Sequence, residues 1–453
     1  MSTSSKHNHN PGILISAANS NSGKTITSCI ILRALKKLGV KTCAYKTGPD
    51  YLDTKYLRFF GDCDVYNLDS WLIGEKSVKE LFTQTSRDCD VAIIEGAMGL
   101  YDGGKFSSAE IAKLLNVPVI LVLNVKSIGE SAAAMALGFK NYDEYINRNF
   151  AGVILNCIGS ESHAKIISNE LAKHGVKILG IIKRDENLKF PDRHLGLIPI
   201  NELENIAKPD ALENFAGNIN LDAIIQIANS NPKIKTQTQI SRAISASEIS
   251  LAIAYDEAFS FYYSESLEAL KNSGINLKFF SPIHDTKIPD ANGYLFGGGY
   301  PEIYAAKLQK NSEIRAQILN AANSGKIILA ECGGLMYLCE SITNLDGKKF
   351  EMCGVIPDDC VMTNRPVIGY IEAKALRENI LCKKNELIHA HEFHFSKLIN
   401  KHVENAFELK RRSTGSTWLG GYSTKNILAS YMHINFWGNK TLLRNLIDSL
   451  RNA

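Results

Sequence analysis

The sequence predicts an α/β protein of two doubly wound, mainly parallel-sheet domains. Three observations carry this. Short apolar runs alternate with segments of helical period along most of the chain. A polar stretch without apolar period separates two such series. In each half a turn containing glycine follows a buried strand and opens a helix. The 453 residues are enough for two or three domains with cores of their own. The boundaries follow: a polar, disordered tail over 1–11, a first domain over 12–235, a linker over 236–248 and a second domain over 249–453.

The first strand is Gly12–Ala18, and Asn-Ser-Asn-Ser-Gly-Lys-Thr follows at 19–25. A helical pattern then runs from Ile26 to Leu38 and stops at Gly39. Strand, Gly-Lys-Thr loop and helix form a phosphate cradle, in which backbone N–H groups and the helix N-terminus meet the anion. Asn19, Ser20, Asn21, Ser22, Gly23, Lys24 and Thr25 are therefore the ATP-binding candidates. Lys24 should reach the terminal phosphates and Thr25 should hold Mg²⁺. Ala18 stands where the bare pattern has its first glycine.

The next strand, Lys41–Tyr45, leads into Lys-Thr-Gly-Pro-Asp-Tyr-Leu-Asp at 46–53. Acids just past a strand end sit where an open α/β sheet binds ligands. Cys89–Glu95 is a strand ending in a carboxylate, followed by Gly-Ala-Met-Gly-Leu-Tyr-Asp-Gly-Gly. A terminal carboxylate of this kind is a metal anchor in phosphate-loop enzymes, so Glu95 is a Mg²⁺ candidate with Asp50 as companion. Asp53 and Asp102 are placed further out, toward a second substrate. Taken alone, Asp50 and Asp53 read as turn residues after Gly-Pro, and the strand ending in Glu95 is what gives them weight as ligands. Strands at Pro118–Val125, Phe150–Cys157 and Val176–Ile182 alternate with helices at Ser131–Phe139 and Ser162–His174. Arg193 and His194 read a base or phosphate, or only pair in a loop; Leu203–Ala228 reads as a capping helix.

The second series has a strand at 250–254, a helix at 263–273 and a strand at 276–280. Gly293–Glu302 is a strand running into three glycines, where backbone N–H groups can turn toward a ligand. Ile327–Ala330 is a buried strand, followed by Glu-Cys-Gly-Gly-Leu-Met-Tyr-Leu. Cys332 thus stands on a tight turn at a helix N-terminus, a setting that exposes sulfur and favours the thiolate. It is the candidate nucleophile, with Gly298, Gly299 and Gly333 as oxyanion-hole candidates. His389, His391 and His394 lie on a strand, the first two on one face, and read as cleft lining rather than metal ligands. His433, at the end of the apolar run from Ile427, is the candidate base, with Asn435 placed to orient its ring.

Composition narrows the function. A net charge of +4 with 22% charged residues gives no reason to expect nucleic acid or a membrane surface as partner. The longest apolar stretches are too short to span a bilayer. Ten cysteines without a C-x-x-C pair argue against a zinc ribbon or disulfide scaffold and suit a reducing cytoplasm. A homodimer is left open.

The motifs together resemble the cobyrinic acid a,c-diamide synthase family of cobalamin biosynthesis, from about Gly12 to Leu450. They are Ser-Gly-Lys-Thr (22–25), the stretches 46–53 and 95–103, Arg-His-Leu-Gly-Leu (193–197), Asp-Glu-Ala-Phe-Ser-Phe-Tyr-Tyr (256–263), Gly-Gly-Gly-Tyr-Pro-Glu (297–302), 331–338 and 391–396. The resemblance implies a nucleotide domain of dethiobiotin-synthetase type and a class I glutamine amidotransferase domain. It implies ATP, glutamine and a corrinoid carboxylate as substrates. Asp50 and Glu95 would help hold Mg²⁺, and Asp53 and Asp102 would serve the substrate carboxylate or ammonia. The acid that many glutaminases carry two residues after the histidine is replaced by Asn435, which implies slow unaided glutamine hydrolysis. Neighbouring expectations are amidation of hydrogenobyrinate or nickel-sirohydrochlorin, cobyric acid synthase-like chemistry, and a non-enzymatic phosphate-loop switch, against which Cys332 speaks.

Overall fold

The computed structural model describes residues 11–185, 188, 192–193, 196–197, 209–231, 249–399 and 404–452. The tail over 1–10, the linker over 236–248 and His194 lie outside these residues, as does the side chain of Arg193. By internal contacts the chain divides into two compact units, Met1–Ser70 with Gly74–Thr238, and Trp71–Ile73 with Gln239–Ala453.

The first unit is built on β1 (Gly12–Ala17), β2 (Thr42–Thr47), β3 (Val65–Leu68), β4 (Val91–Glu95), β5 (Val119–Asn124), β6 (Phe150–Ile158) and β7 (Ile178–Lys183). These strands lie in the order β3-β2-β4-β1-β5-β6-β7, and every pairing is parallel. A parallel sheet covered on both faces needs apolar residues throughout, and every residue of β1, β3 and β4 is buried. Ile13, Ile15 and Ala17 join Val91, Ile93, Ile120 and Val122 in one core beneath α1 (Lys24–Lys37) and α2 (Leu52–Gly61). The order matters for function. β2, β4 and β1 are neighbours, so the loops after their carboxyl ends, 18–23, 48–51 and 96–103, open together.

The second unit carries an eleven-stranded mixed sheet. Its parallel part comprises β8 (Ser250–Ala254), β9 (Asn276–Phe280), β10 (Gly293–Phe296), β11 (Ile327–Glu331) and β12 (Ile427–Ser430), in the order β9-β8-β10-β11-β12. Beyond β12 the sheet continues antiparallel through Thr417–Ser423, Asn405–Arg411 and Ile356–Ala375, against which Leu387–Leu398 is paired. Alternation along each strand divides the core into two layers. Ala252, Phe296, Ile328 and Ala330 face one layer, and Leu251, Ile253, Leu295, Ile327 and Leu329 the other. The terminal helix Lys440–Arg451 buries Leu442, Leu446 and Leu450, a stripe at four-residue spacing on the second layer.

Candidate functional sites

In the first unit the phosphate loop turns sharply at Gly23, whose φ is 93°. A β-carbon there would come within 2.1 Å of Asn156 Nδ2, so both the backbone and the packing require glycine. Asn19, Ser20 and Asn21 are exposed at the mouth; Ser22 is buried and bonded to Asn19. Lys24 is 6% exposed, and its ammonium donates to Asn19 O at 2.9 Å. Burial, and then the charge of Lys46, pull its pKa down to about 8.

Thr25 donates to Glu95 Oε1 at 2.8 Å and lies 3.4 Å from Asp53 Oδ1. Lys46 lies between the two acids, 2.6 Å from Asp53 Oδ2 and 2.8 Å from Glu95 Oε1. The register explains the second contact, since Lys46 pairs with Glu95 across β2 and β4. Burial alone would neutralise Lys46, but Asp53 and Glu95 hold it charged, well above the ordinary lysine range. Burial pushes Glu95 up against the pull of Lys46. Asp102 is held on its own loop, where its Oδ2 accepts from Gly99 N at 2.8 Å. That loop is anchored on the first strand by Leu100 N donating to Ala17 O at 2.8 Å. The field of Asp102 reaches Lys24.

Two sequence expectations change here. Asp50 was expected beside Glu95, with Asp53 further out. The structure puts Asp53 against Thr25 and Lys46, while Asp50 Oδ1 accepts from Leu52 N and Asp53 N, both at 2.8 Å, and caps α2. An acid two or three residues before helical N–H groups is a natural cap, which is why its partner acid is left to face inward. Lys46 was not singled out as a site residue. Its signal was present as the first residue of the 46–53 motif, at the end of an apolar strand that had no need of a cation.

A bound Mg²⁺ fits this chemistry. Glu95 Oε2 is buried without a hydrogen-bond partner among the described residues, and Thr25 Oγ1 stands beside the same carboxylate. Among the described residues no group of three or more His, Cys, Asp or Glu is placed to form an all-protein metal cage. Mg²⁺ does not ask for one, since phosphates and water complete its shell.

In the second unit Cys332 follows β11 directly, with φ 47° and ψ −102°, strained backbone of the kind stored at reactive turns. Its N–H donates to Ser430 O at 2.7 Å, which ties the elbow to β12. Its thiol points to Phe393 O at 3.7 Å. Gly334 permits the turn, because a β-carbon there would lie 2.2 Å from Phe296 O. The expected thiolate is not the resting form. Burial drives the thiol well above its usual range and Glu302 adds to this, while the Gly333 N–H pulls the other way. A six-residue helix in a dry site cannot outweigh that burial.

Cys332, His433, Gly298, Gly299 and Gly333 are gathered at the carboxyl ends of β10, β11 and β12. A β-carbon on Gly298 would lie 2.5 Å from His433 Cε1, and one on Gly333 would lie 3.1 Å from Gly299 N. His433 is 2% exposed, and burial lowers its pKa to about 4, so it rests as neutral imidazole. Its backbone bridges His391, with His433 N donating to His391 O at 2.8 Å. His389 and His391 do share a face and His394 is buried on the other, stacked 3.7 Å from the Tyr431 ring.

Asn435 does not orient His433. Its amide donates to Glu265 Oε1 at 2.8 Å, and its oxygen accepts from Ser266 Oγ at 3.0 Å and Trp437 N at 3.0 Å. The acid beside His433 is Glu331, whose Oε2 lies 3.7 Å from His433 Nδ1.

A phosphate loop in one unit and a thiol elbow in the other define a nucleotide-using glutamine amidotransferase. Residues 13–198 match the family model of the CobQ/CobB/MinD/ParA nucleotide binding domain, and residues 250–441 that of the CobB/CobQ-like glutamine amidotransferase domain. Curated proteins named cobyrinate a,c-diamide synthase are similar over nearly the whole chain. That of Caldanaerobacter subterraneus subsp. tengcongensis is 38% identical, covering 96% of this chain and 97% of the relative. That of Dehalococcoides mccartyi (strain ATCC BAA-2266) is 40% identical with the same coverage. That of Picrophilus torridus is 37% identical over 97% of this chain and 99% of the relative. The chain belongs to the cobyrinate a,c-diamide synthase family.

Proposed function

We propose that this protein converts the a and c side-chain carboxylates of cobyrinate to amides, using ATP to activate each carboxylate and glutamine as the nitrogen source. The observation that carries the reading is the presence, on one chain, of a Lys24–Thr25–Glu95 phosphate site and a strained, buried Cys332 next to three glycines and His433.

In the glutaminase half, Cys332 attacks the glutamine carboxamide with His433 taking the thiol proton, and N–H groups of Gly299 and Gly333 face the developing oxyanion. Ammonia leaves and water hydrolyses the thioester to glutamate. In the ATP half, a substrate carboxylate oxygen attacks the γ-phosphorus, giving an acyl phosphate and ADP. Ammonia then attacks the acyl carbon, phosphate leaves and an amide remains. Lys24 turns from Asn19 O to the phosphates. Thr25 and Glu95 would hold Mg²⁺, with Asp53 alongside and Asp50 at the start of α2; the ion supplies charge neutralisation at the phosphates. Asp53 and Asp102 face the substrate carboxylate and the incoming ammonia. The thiol must stay reduced, which suits the cytoplasm; among the described residues no helix is long and apolar enough to cross a membrane.

Mass spectrometry of cobyrinic acid incubated with the protein, ATP, Mg²⁺ and glutamine tests this. Two amide groups should be gained. Two amides on a sirohydrochlorin but none on cobyrinic acid would keep the chemistry and overturn the substrate. No gain on either would overturn the reading.

A further inference from the structure

The sequence lacks an acid two residues after His433, and Asn435 is committed to Glu265, Ser266 and Trp437. An imidazole that takes a thiol proton in a dry site still needs a partner for the positive charge it acquires. We propose that Glu331, the residue immediately before the nucleophile, is the positioning acid of His433, so that the glutaminase triad is completed from β11 rather than from the segment after the histidine. The proposal rests on the glutaminase reading above.

The geometry comes from adjacent strands. β11 and β12 run parallel, with Glu331 opposite Ser430. Cys332 begins the elbow on one strand, and His433 lies three residues past the end of the other. Glu331 is 6% exposed and His433 is 2% exposed. One carboxylate oxygen accepts from Ile434 N at 3.3 Å, which fixes the side chain against the segment that carries the histidine. The other lies 3.7 Å from His433 Nδ1. That is an ion-pair separation, and it can shorten to a hydrogen bond when substrate closes the site. With Nδ1 turned to Glu331, Nε2 is the nitrogen left for the thiol proton. The step balances: the S–H proton moves to Nε2, the sulfur electron pair forms the C–S bond, and the carbonyl pair moves to oxygen. Collapse of that oxyanion breaks the C–N bond as Nε2 returns the proton to the leaving nitrogen. Glu331 in its ionised form accepts Nδ1–H and carries no proton in the balance.

Burial acts on both members of the pair. It pushes Glu331 up to about 8 and His433 down to about 4, so each resists carrying charge alone. The remaining titratable or charged groups acting on this pair or its neighbours are Tyr262, His391, His394 and Arg411. Glu302 and Glu392 act on Cys332.

The test is Glu331→Gln in the full chain. Glutamine keeps an acceptor for Ile434 N and nearly the same volume, but cannot ionise to balance the imidazolium. Glutaminase kcat should fall by on the order of 100-fold, with KM for glutamine little changed. The ascending limb of kcat/KM against pH should shift, and Glu331→Asp should recover part of the loss. Ammonia-dependent amidation reports that the variant is folded. A Glu331→Gln protein with wild-type kcat and an unshifted profile would overturn the proposal. If both activities fall, the rate of Cys332 alkylation by iodoacetamide against pH decides: a profile unchanged from wild type overturns it, a shifted one upholds it. Absence of glutaminase activity in the wild-type chain would instead refute the functional reading.

Discussion

At the residue scale, the phosphate site is a set of charges that burial would neutralise singly. Lys46 stays cationic because two acids flank it, and Glu95 is held by a lysine and a hydroxyl. Removing one member of such a buried set typically costs about 3–5 kcal/mol, since the remainder keep their desolvation without their partner. Lys24 is the exception, because its neighbour Lys46 opposes its charge and its partner is only a backbone carbonyl. Its pKa of about 8 lies below that of an exposed lysine. ATP restores the missing anion and so favours the protonated form. Well below pH 8 the ammonium is already formed and ATP affinity should not change with pH. Above pH 8 binding must take up a proton, and Kd should weaken with rising pH, approaching roughly tenfold per unit. Titration calorimetry across pH checks this. In Lys24→Met the dependence should vanish, with affinity near neutral pH lower by roughly 10- to 100-fold. A wild-type Kd that is flat to pH 9.5 would refute it.

At the element scale, the elbow between β11 and Gly333–Leu338 is held by close backbone approaches that a methyl group would break in different ways. At Gly334 the added carbon would meet Phe296 O and C, which are backbone atoms of a central strand and cannot yield. Gly334→Ala should therefore destabilise the protein by about 1–3 kcal/mol in chemical denaturation. At Gly298 it would meet the His433 ring edge instead. Gly298→Ala should displace the imidazole, cutting glutaminase turnover with a smaller stability loss. If the two variants behaved alike in both measurements, the distinction would fail. The elements themselves were unequally legible. β1, β4, β5, β8, β10 and β11 are largely apolar, buried runs, and their positions follow from sequence to within a residue or two. Val65–Leu68 escaped notice because Val-Tyr-Asn-Leu carries a polar residue in a four-residue run. Apart from the strand read around His389–His394, the antiparallel extension over 356–423 escaped because its strands alternate polar and apolar residues and are only partly buried. The site followed the same division. Glu95 and Cys332 stand at or just past the ends of strong strands and Lys24 opens the helix that follows one, so their placement was legible. The exchange of Asp50 for Asp53, and the assignment of Glu331 rather than Asn435 to His433, depend on which side chain caps a helix and which strand lies next door. Neither is written in local sequence.

At the scale of the whole molecule, each half has its own sheet and its own buried clusters. The phosphate site draws its contacts from β1, β2 and β4 of the first unit, and the thiol elbow from β10, β11 and β12 of the second. Among the described residues, the contacts of Lys24, Thr25 and Lys46 are all made within the first unit, and those of Cys332 to Phe393 and of His433 to Glu331 within the second. Chemistry at Cys332 therefore has one product the other half needs, ammonia, and ammonia can be supplied from solution. Cys332→Ala removes the sulfur while keeping the β-carbon that packs at the elbow. Glutamine-dependent amidation should fall by at least roughly 1,000-fold, as expected when a nucleophile is deleted. Ammonium-dependent amidation should stay within a factor of about 3, the scatter expected for sites without shared partners. Product analysis with each nitrogen source, at saturating ATP, measures both. If ammonium fails to rescue the variant, the thiol site must be needed for the ATP-dependent step itself, and the two halves would act as one catalytic unit rather than as a source and a consumer of ammonia.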